Sequence, residues 1–127
     1  MNRGGVRIGT AEIYNILNTF SEVADSLIIC LDQEDGTSTM PLYVQMRDGV
    51  SLNDELKAAI KLKLRKSYSP RHVPDDIIAV PMIPYTLSGK KLEIPVKKIM
   101  MGTPLEKAVS VAVLKDPKSL DFWLKSL

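Results

Sequence analysis

Cysteine, histidine and tryptophan are nearly missing from this sequence, with one of each in 127 residues. Cys30 by itself closes no internal disulfide, and one cysteine and one histidine far apart in the chain do not make a zinc ligand set. Such sparing use of cysteine fits a reducing, cytoplasmic setting by default. Long apolar runs are missing as well. The longest strongly apolar stretch is LIICL at 27–31, far short of the roughly 20 residues that cross a bilayer. The opening residues, MNRGGVRIG, hold no apolar segment of the kind a secretory signal needs. Neither a Walker-type loop nor GxGxxG occurs, which excludes the two common glycine-rich phosphate cradles. There is no internal repeat and no low-complexity segment.

What is present is an ordinary globular composition, 45% hydrophobic and 25% charged, long enough for one compact domain. The net charge is only +2, but it is unevenly spread. Residues 57–98 hold ten basic residues and three acidic ones, while the rest of the chain holds seven basic and twelve acidic. That asymmetry suggests a localised anion-facing surface, although lysine-rich solvated helix faces would give the same count.

Periodicity places the elements. Ile13, Ile16, Leu17 and Phe20 recur at the spacing of an amphipathic helix over 10–20, with Thr10 as its N-cap. SLIICLD, which contains Cys30, reads as a buried strand, and PLYVQM at 41–46 as a second strand antiparallel to it. The intervening QEDGTST carries an Asp-Gly turn signal. SLNDELKAAIKLKLRKSY predicts the longest helix, capped by Ser51 with Asp54 completing a short capping box, and with Leu52, Leu56, Ile60 and Leu64 inward. SPRHVPD ends that helix, because each proline drives its preceding residue toward extended backbone. DIIAV predicts a third strand. A short helix follows with Pro95 at its first position and Gly102 at its C-terminal cap. DPKSLDFWLKSL reads as a last helix with Leu120, Trp123, Leu124 and Leu127 on one face. The sum is an α+β domain, a small mixed or antiparallel sheet flanked by helices.

Few side chains invite chemistry. Cys30 in an apolar strand reads as an inert buried thiol. His72, beside Arg71, reads as a structural or surface residue rather than an acid-base group. IPYTLSGKKLEIP at 83–95 is different, because Gly89 permits backbone closed to other residues while Pro84 and Pro95 stiffen the segment. Lys90 presented there is a point charge suited to a phosphate or carboxylate oxygen. An exposed turn explains the same residues equally well.

Three segments together resemble a known family. GVRIGTAEI at 5–13, SPRHVPD at 69–75 and IPYTLSGKK at 83–91 occur in the order and spacing found in adenylate-forming enzymes, and resemble the mobile C-terminal domain of acyl-CoA synthetases. GVRIGTAEIYNI, IPYTLSGKKLEIPVKKI and the tail containing DPKSLDFW are similar to the acetoacetyl-CoA synthetase branch. The resemblance implies a hinge-proximal segment at 1–9, a C-terminal α+β domain at 10–102 and a helical extension at 103–127.

The same resemblance implies a two-step ligation. An acid such as acetoacetate attacks the α-phosphate of ATP to give an acyl-adenylate and diphosphate, and coenzyme A then displaces AMP. Lys90 matches the lysine that enters the active site for adenylation, with Thr86, Ser88 and Gly89 supporting its loop. Arg7 matches a nucleotide-contacting arginine. Gly5 matches a glycine that leaves room for the pantetheine arm, and Arg65 a residue meeting the CoA phosphates. Many relatives read Pro-Lys-Thr-x-Ser-Gly-Lys, whereas here Tyr85 and Leu87 occupy the variable places and Lys91 follows the key lysine. The partner is then a large N-terminal domain that holds ATP, Mg2+ and the acyl group, without which the domain is inactive. Two other expectations compete: a stand-alone module binding nucleic acid or another polyanion through 57–98, and a plain structural domain. Only Tyr68 and Tyr85 lie in 57–98 as stacking groups, which counts against nucleic acid.

Overall fold

The computed structural model describes residues 2–3, 6–7, 9–32 and 38–125, the side chains of 2, 3, 6, 7, 32, 111, 117 and 125 excepted. Two-residue strands β1 (Asn2–Arg3) and β2 (Val6–Arg7) pair antiparallel ahead of helix α1 (Thr10–Leu17). The cap of α1 is Gly9 rather than Thr10. The Glu12 side chain folds back to accept the Gly9 amide at 3.2 Å, satisfying a donor that the helix start leaves without a partner. Ile13, Ile16 and Leu17 are buried as their spacing requires.

Strand β3 spans Val23–Ile28, so it begins earlier than the apolar run and ends before Cys30, which is buried just beyond it. β4 (Leu31–Asp32) and β5 (Ser38–Thr39) form a short antiparallel ribbon, and most of the QEDGTST turn between them lies outside the described residues. β6 (Pro41–Met46) pairs antiparallel with β3, as predicted, with a register shift between Val23 and Asp25. Helix α2 (Asp54–Ser67) is capped by Asn53, not Ser51. Asn53 is extended (φ −128°, ψ 172°) and its side-chain oxygen accepts the Leu56 amide at 2.8 Å. A 3₁₀ turn, Pro70–His72, leads to β7 (Asp76–Ala79), which runs parallel to β6. The central sheet is therefore mixed, in the order β3-β6-β7.

Side-chain alternation gives this sheet two buried faces. On one, Ile28, Leu42, Val44 and Ile77 meet α1 and the Leu56, Ile60 and Leu64 stripe of α2. Each such side chain contributes roughly 1.5–3 kcal/mol by leaving water. On the other face, Leu27, Ile29 and Tyr43 meet helix α3 (Glu93–Met100) through Val96 and Ile99. Pro95 occupies the third position of α3, not the first, but still lies in the turn whose amides need no partner inside the helix. Gly102, at φ 95°, ends α3. Its amide bonds to Ile99 O and that of Thr103 to Lys98 O, the paired bonds of a Schellman cap. The tail, α4 (Leu105–Ala108) and α5 (Asp121–Lys125), joins this second core through Ala108, Leu120 and Trp123. Leu127 lies outside the described residues. Among the described residues no helix is long and apolar enough to cross a membrane.

Candidate functional site

Between β7 and α3 the chain makes a small hairpin. Tyr85 and Lys91 bridge antiparallel at its base, and the Thr86 amide bonds to Lys90 O at 2.8 Å. At the tip the Gly89 amide reaches back to Thr86 O at 3.0 Å, with Gly89 at φ 86°, a conformation that strains any residue with a side chain. Thr86 Oγ1 accepts the Lys90 amide at 3.1 Å and lies 2.8 Å from Ser88 Oγ. Thr86, Ser88 and Gly89 thus build the turn itself. A further strand-like edge braces it, since the Leu87 amide donates to Val113 O and the Lys115 amide to Tyr85 O.

The two adjacent lysines have opposite fates. Lys90 is exposed, and among the described residues its side chain makes no hydrogen bond or ion pair. Lys91 turns inward. Its Nζ donates to Ser26 O at 2.6 Å, lies 3.3 Å from Asp25 Oδ1 and sits 3.5 Å above the centre of the Tyr14 ring. Tyr85 donates its hydroxyl to the other oxygen of Asp25 at 2.5 Å, and the Tyr14 hydroxyl donates to Glu93 Oε2 at 2.5 Å while accepting the Ile28 amide. Burial, followed by these carboxylate hydrogen bonds, raises the pKa of both tyrosines well above the usual 10.0.

Asp25, Tyr14 and Glu93 escaped sequence reasoning, because nothing local marks pairs such as Asp25 and Tyr85, 60 positions apart, or Tyr14 and Glu93, 79 apart. The signal that was available is Tyr85 itself, an aromatic residue at the foot of a polar turn. Its ring packs against the second core and its hydroxyl reaches Asp25.

The other expected site residues are not gathered here. Arg65 is exposed in the last turn of α2, across the sheet from α3. Arg7 lies in β2, paired with Asn2, its side chain undescribed, and Gly5 lies outside the described residues. His72 is buried, 2.7 Å from Ser69 Oγ and stacked on Tyr68, a structural placement. The expectation of one localised basic surface fails. α2 carries Lys57, Lys61, Lys63, Arg65 and Lys66 over one face of the sheet, whereas Lys90, Lys97 and Lys98 belong to elements covering the other. A cavity of 270 Å³ lies between Thr10, Ile28–Cys30 and the first turns of α3, and Lys90 does not line it.

Known proteins match both the sequence and this fold. The chain is 45% identical over 126 residues to an acetoacetyl-CoA synthetase of Caenorhabditis elegans, and 44% identical over 123 residues to one of Rhizobium meliloti. An acetoacetyl-CoA synthetase structure from Streptomyces lividans superposes with a TM-score of 0.86 at 41% identity, over 95% of this chain. The chain is a homologue of the C-terminal domain of acetoacetyl-CoA synthetases. It spans 18% of the length of each of these relatives. No family model matches it. The mixed three-stranded sheet with its flanking helices is the architecture of acyl-CoA synthetase C-terminal domains, which bears out the α+β expectation. In this synthetase-like domain the lysine hairpin is an outward projection whose base is locked to the sheet.

Proposed function

We propose that this domain is the mobile C-terminal part of an ATP-dependent, AMP-forming acyl-CoA ligase, with acetoacetate as the acid, and that it works in the cytoplasm. The presentation of Lys90 carries the reading: one exposed ammonium at the tip of a braced hairpin, next to a lysine that is fully engaged. In the first half-reaction the acid's carboxylate attacks the α-phosphorus of ATP, forming a C–O–P linkage and releasing diphosphate. Lys90, reaching both reacting anions, offsets the negative charge that gathers as one approaches the other. In the second, the coenzyme A sulfur forms the thioester bond and AMP leaves.

Arg65 stands on the opposite side of the sheet from Lys90, which suits a domain that offers a different face to each half-reaction. Arg65 meets the CoA phosphates in the second half-reaction, for which Gly5 leaves room for the pantetheine arm, and Arg7 contacts the nucleotide. The partner is the larger part of the same ligase, which holds ATP, the acid and Mg2+. Among the described residues no three His, Cys, Asp or Glu side chains are grouped to hold a metal ion.

The test separates the half-reactions in the full-length ligase. Lys90→Ala lowers acetoacetate-dependent exchange of diphosphate into ATP by at least about 100-fold, as expected on losing a group that stabilises charge in the transition state. Thioester formation from preformed acetoacetyl-adenylate stays within about twofold. Equal loss of both rates would overturn the role of Lys90.

A further inference from the structure

Neighbouring residues on an extended strand point to opposite sides, so only one of two adjacent lysines can face outward. The hairpin holds Lys90 and Lys91 in sequence, equal in charge and length, and its own bonds set the turn, with Thr86 paired to Lys90 and Gly89 at φ 86°. What holds Lys91 inward comes from outside. Asp25 collects the Ser26 amide at 2.8 Å, the Lys91 ammonium at 3.3 Å and the Tyr85 hydroxyl at 2.5 Å. Tyr85 and Lys91 are the bridged pair at the hairpin base, so one carboxylate grips both strands of the projection. The register shift in β3 falls just before this residue, between Val23 and Asp25. It leaves Val23 in the core beneath α1 and α2, while Leu27 and Ile29, which share the parity of Asp25, line the core beneath α3.

We infer that Asp25 is a positioning residue that selects Lys90 over Lys91, by anchoring Lys91 and Tyr85 to β3 and so fixing the hairpin register. A slip of one residue would exchange the two lysines. It would put Lys91 at the tip from a backbone position one residue further along, and turn Lys90 toward Tyr14. The ammonium of Lys91 has what such burial requires: a carboxylate, a carbonyl and an aromatic face. This inference rests on the proposed role of Lys90 for its functional consequence, but not for its structural one.

The structural arm uses the 127-residue chain with carbon-13 in its lysines. In the unaltered protein the Lys91 ε-methylene resonance is moved upfield by the Tyr14 ring, and the Lys90 resonance lies with those of free lysines. Asp25→Asn keeps the shape and removes the charge. The expected result is collapse of the Lys91 shift and faster amide exchange at Thr86 and Lys90, with resonances of α1 and α2 unmoved. Tyr85→Phe, which removes only the hydroxyl, gives an intermediate effect. An unchanged Lys91 shift and unchanged Thr86 protection in Asp25→Asn would overturn the inference.

The functional arm uses the full-length ligase. Asp25→Asn slows adenylation on the order of 10- to 100-fold, the usual cost of misplacing a reacting group, and leaves thioester formation unchanged. A merely structural role would slow both steps together. If Lys90→Ala abolishes adenylation and Asp25→Asn does not slow it, the inference fails and the Lys90 reading stands. If Lys90→Ala leaves adenylation intact, that reading fails, and the Lys91 resonance alone decides the register.

Discussion

The Tyr14 hydroxyl donates to Glu93 and accepts from the Ile28 amide, so one buried group ties α1 to β3 and α3. Burial in first place, then the Glu93 carboxylate, keeps this hydroxyl protonated in the fold at pH values where an unfolded tyrosine ionises. Tyr85, half-buried and bonded to Asp25, behaves alike. With folded-state pKa values above the unfolded 10.0, their stabilising contribution is complete below pH 10 and drains away as pH rises above it. Urea midpoints measured from pH 8 to pH 11 therefore fall for the unaltered chain. Tyr14→Phe starts from a lower midpoint and falls less steeply over the same range. Parallel slopes for the two proteins would remove Tyr14 as a cause. The residue scale also holds what the sequence concealed most fully. Lys91 reads locally as a second surface charge, and only its three distant partners turn it inward and half-bury it.

Among the elements, the caps separate prediction from structure. The hydrophobic stripe of α2 was legible, because Leu56, Ile60 and Leu64 can share a core only at helical spacing. Its start was not. Ser51, Asn53 and Asp54 are all good capping types, and the choice rests on which residue has extended backbone when the chain leaves the turn at Asp48-Gly49. Asn53→Ala costs about 1 kcal/mol, while Ser51→Ala stays within about 0.5 kcal/mol. Chemical denaturation of both variants checks this, and the reverse order would restore Ser51 as the cap. Strand β3 shows the same division. Its apolar residues were evident, but its start at Val23 depends on pairing with Met46 across a register shift, a property of the partner strand.

For the whole molecule, the sheet separates two cores, and the tail belongs to one of them. Trp123 is 2% exposed and meets Tyr43 edge-on with ring centres 5.1 Å apart. Trp123→Ala should cost about 3–5 kcal/mol, read by thermal unfolding. A loss below about 1 kcal/mol, within the range of ordinary surface substitutions, would show that the tail is not integral to the fold. The sequence by itself determined the secondary elements in broad outline, the α+β class and the Ser-Gly-Lys turn, because periodicity, capping types and the positive φ of a glycine are local properties. The tertiary structure alone decided that the basic stretch is divided between two faces, and that Lys90 is the lysine turned outward. The physical reason is that an inward ammonium needs a carboxylate to receive it, and Asp25 reaches the hairpin only once β3 has been packed beneath it.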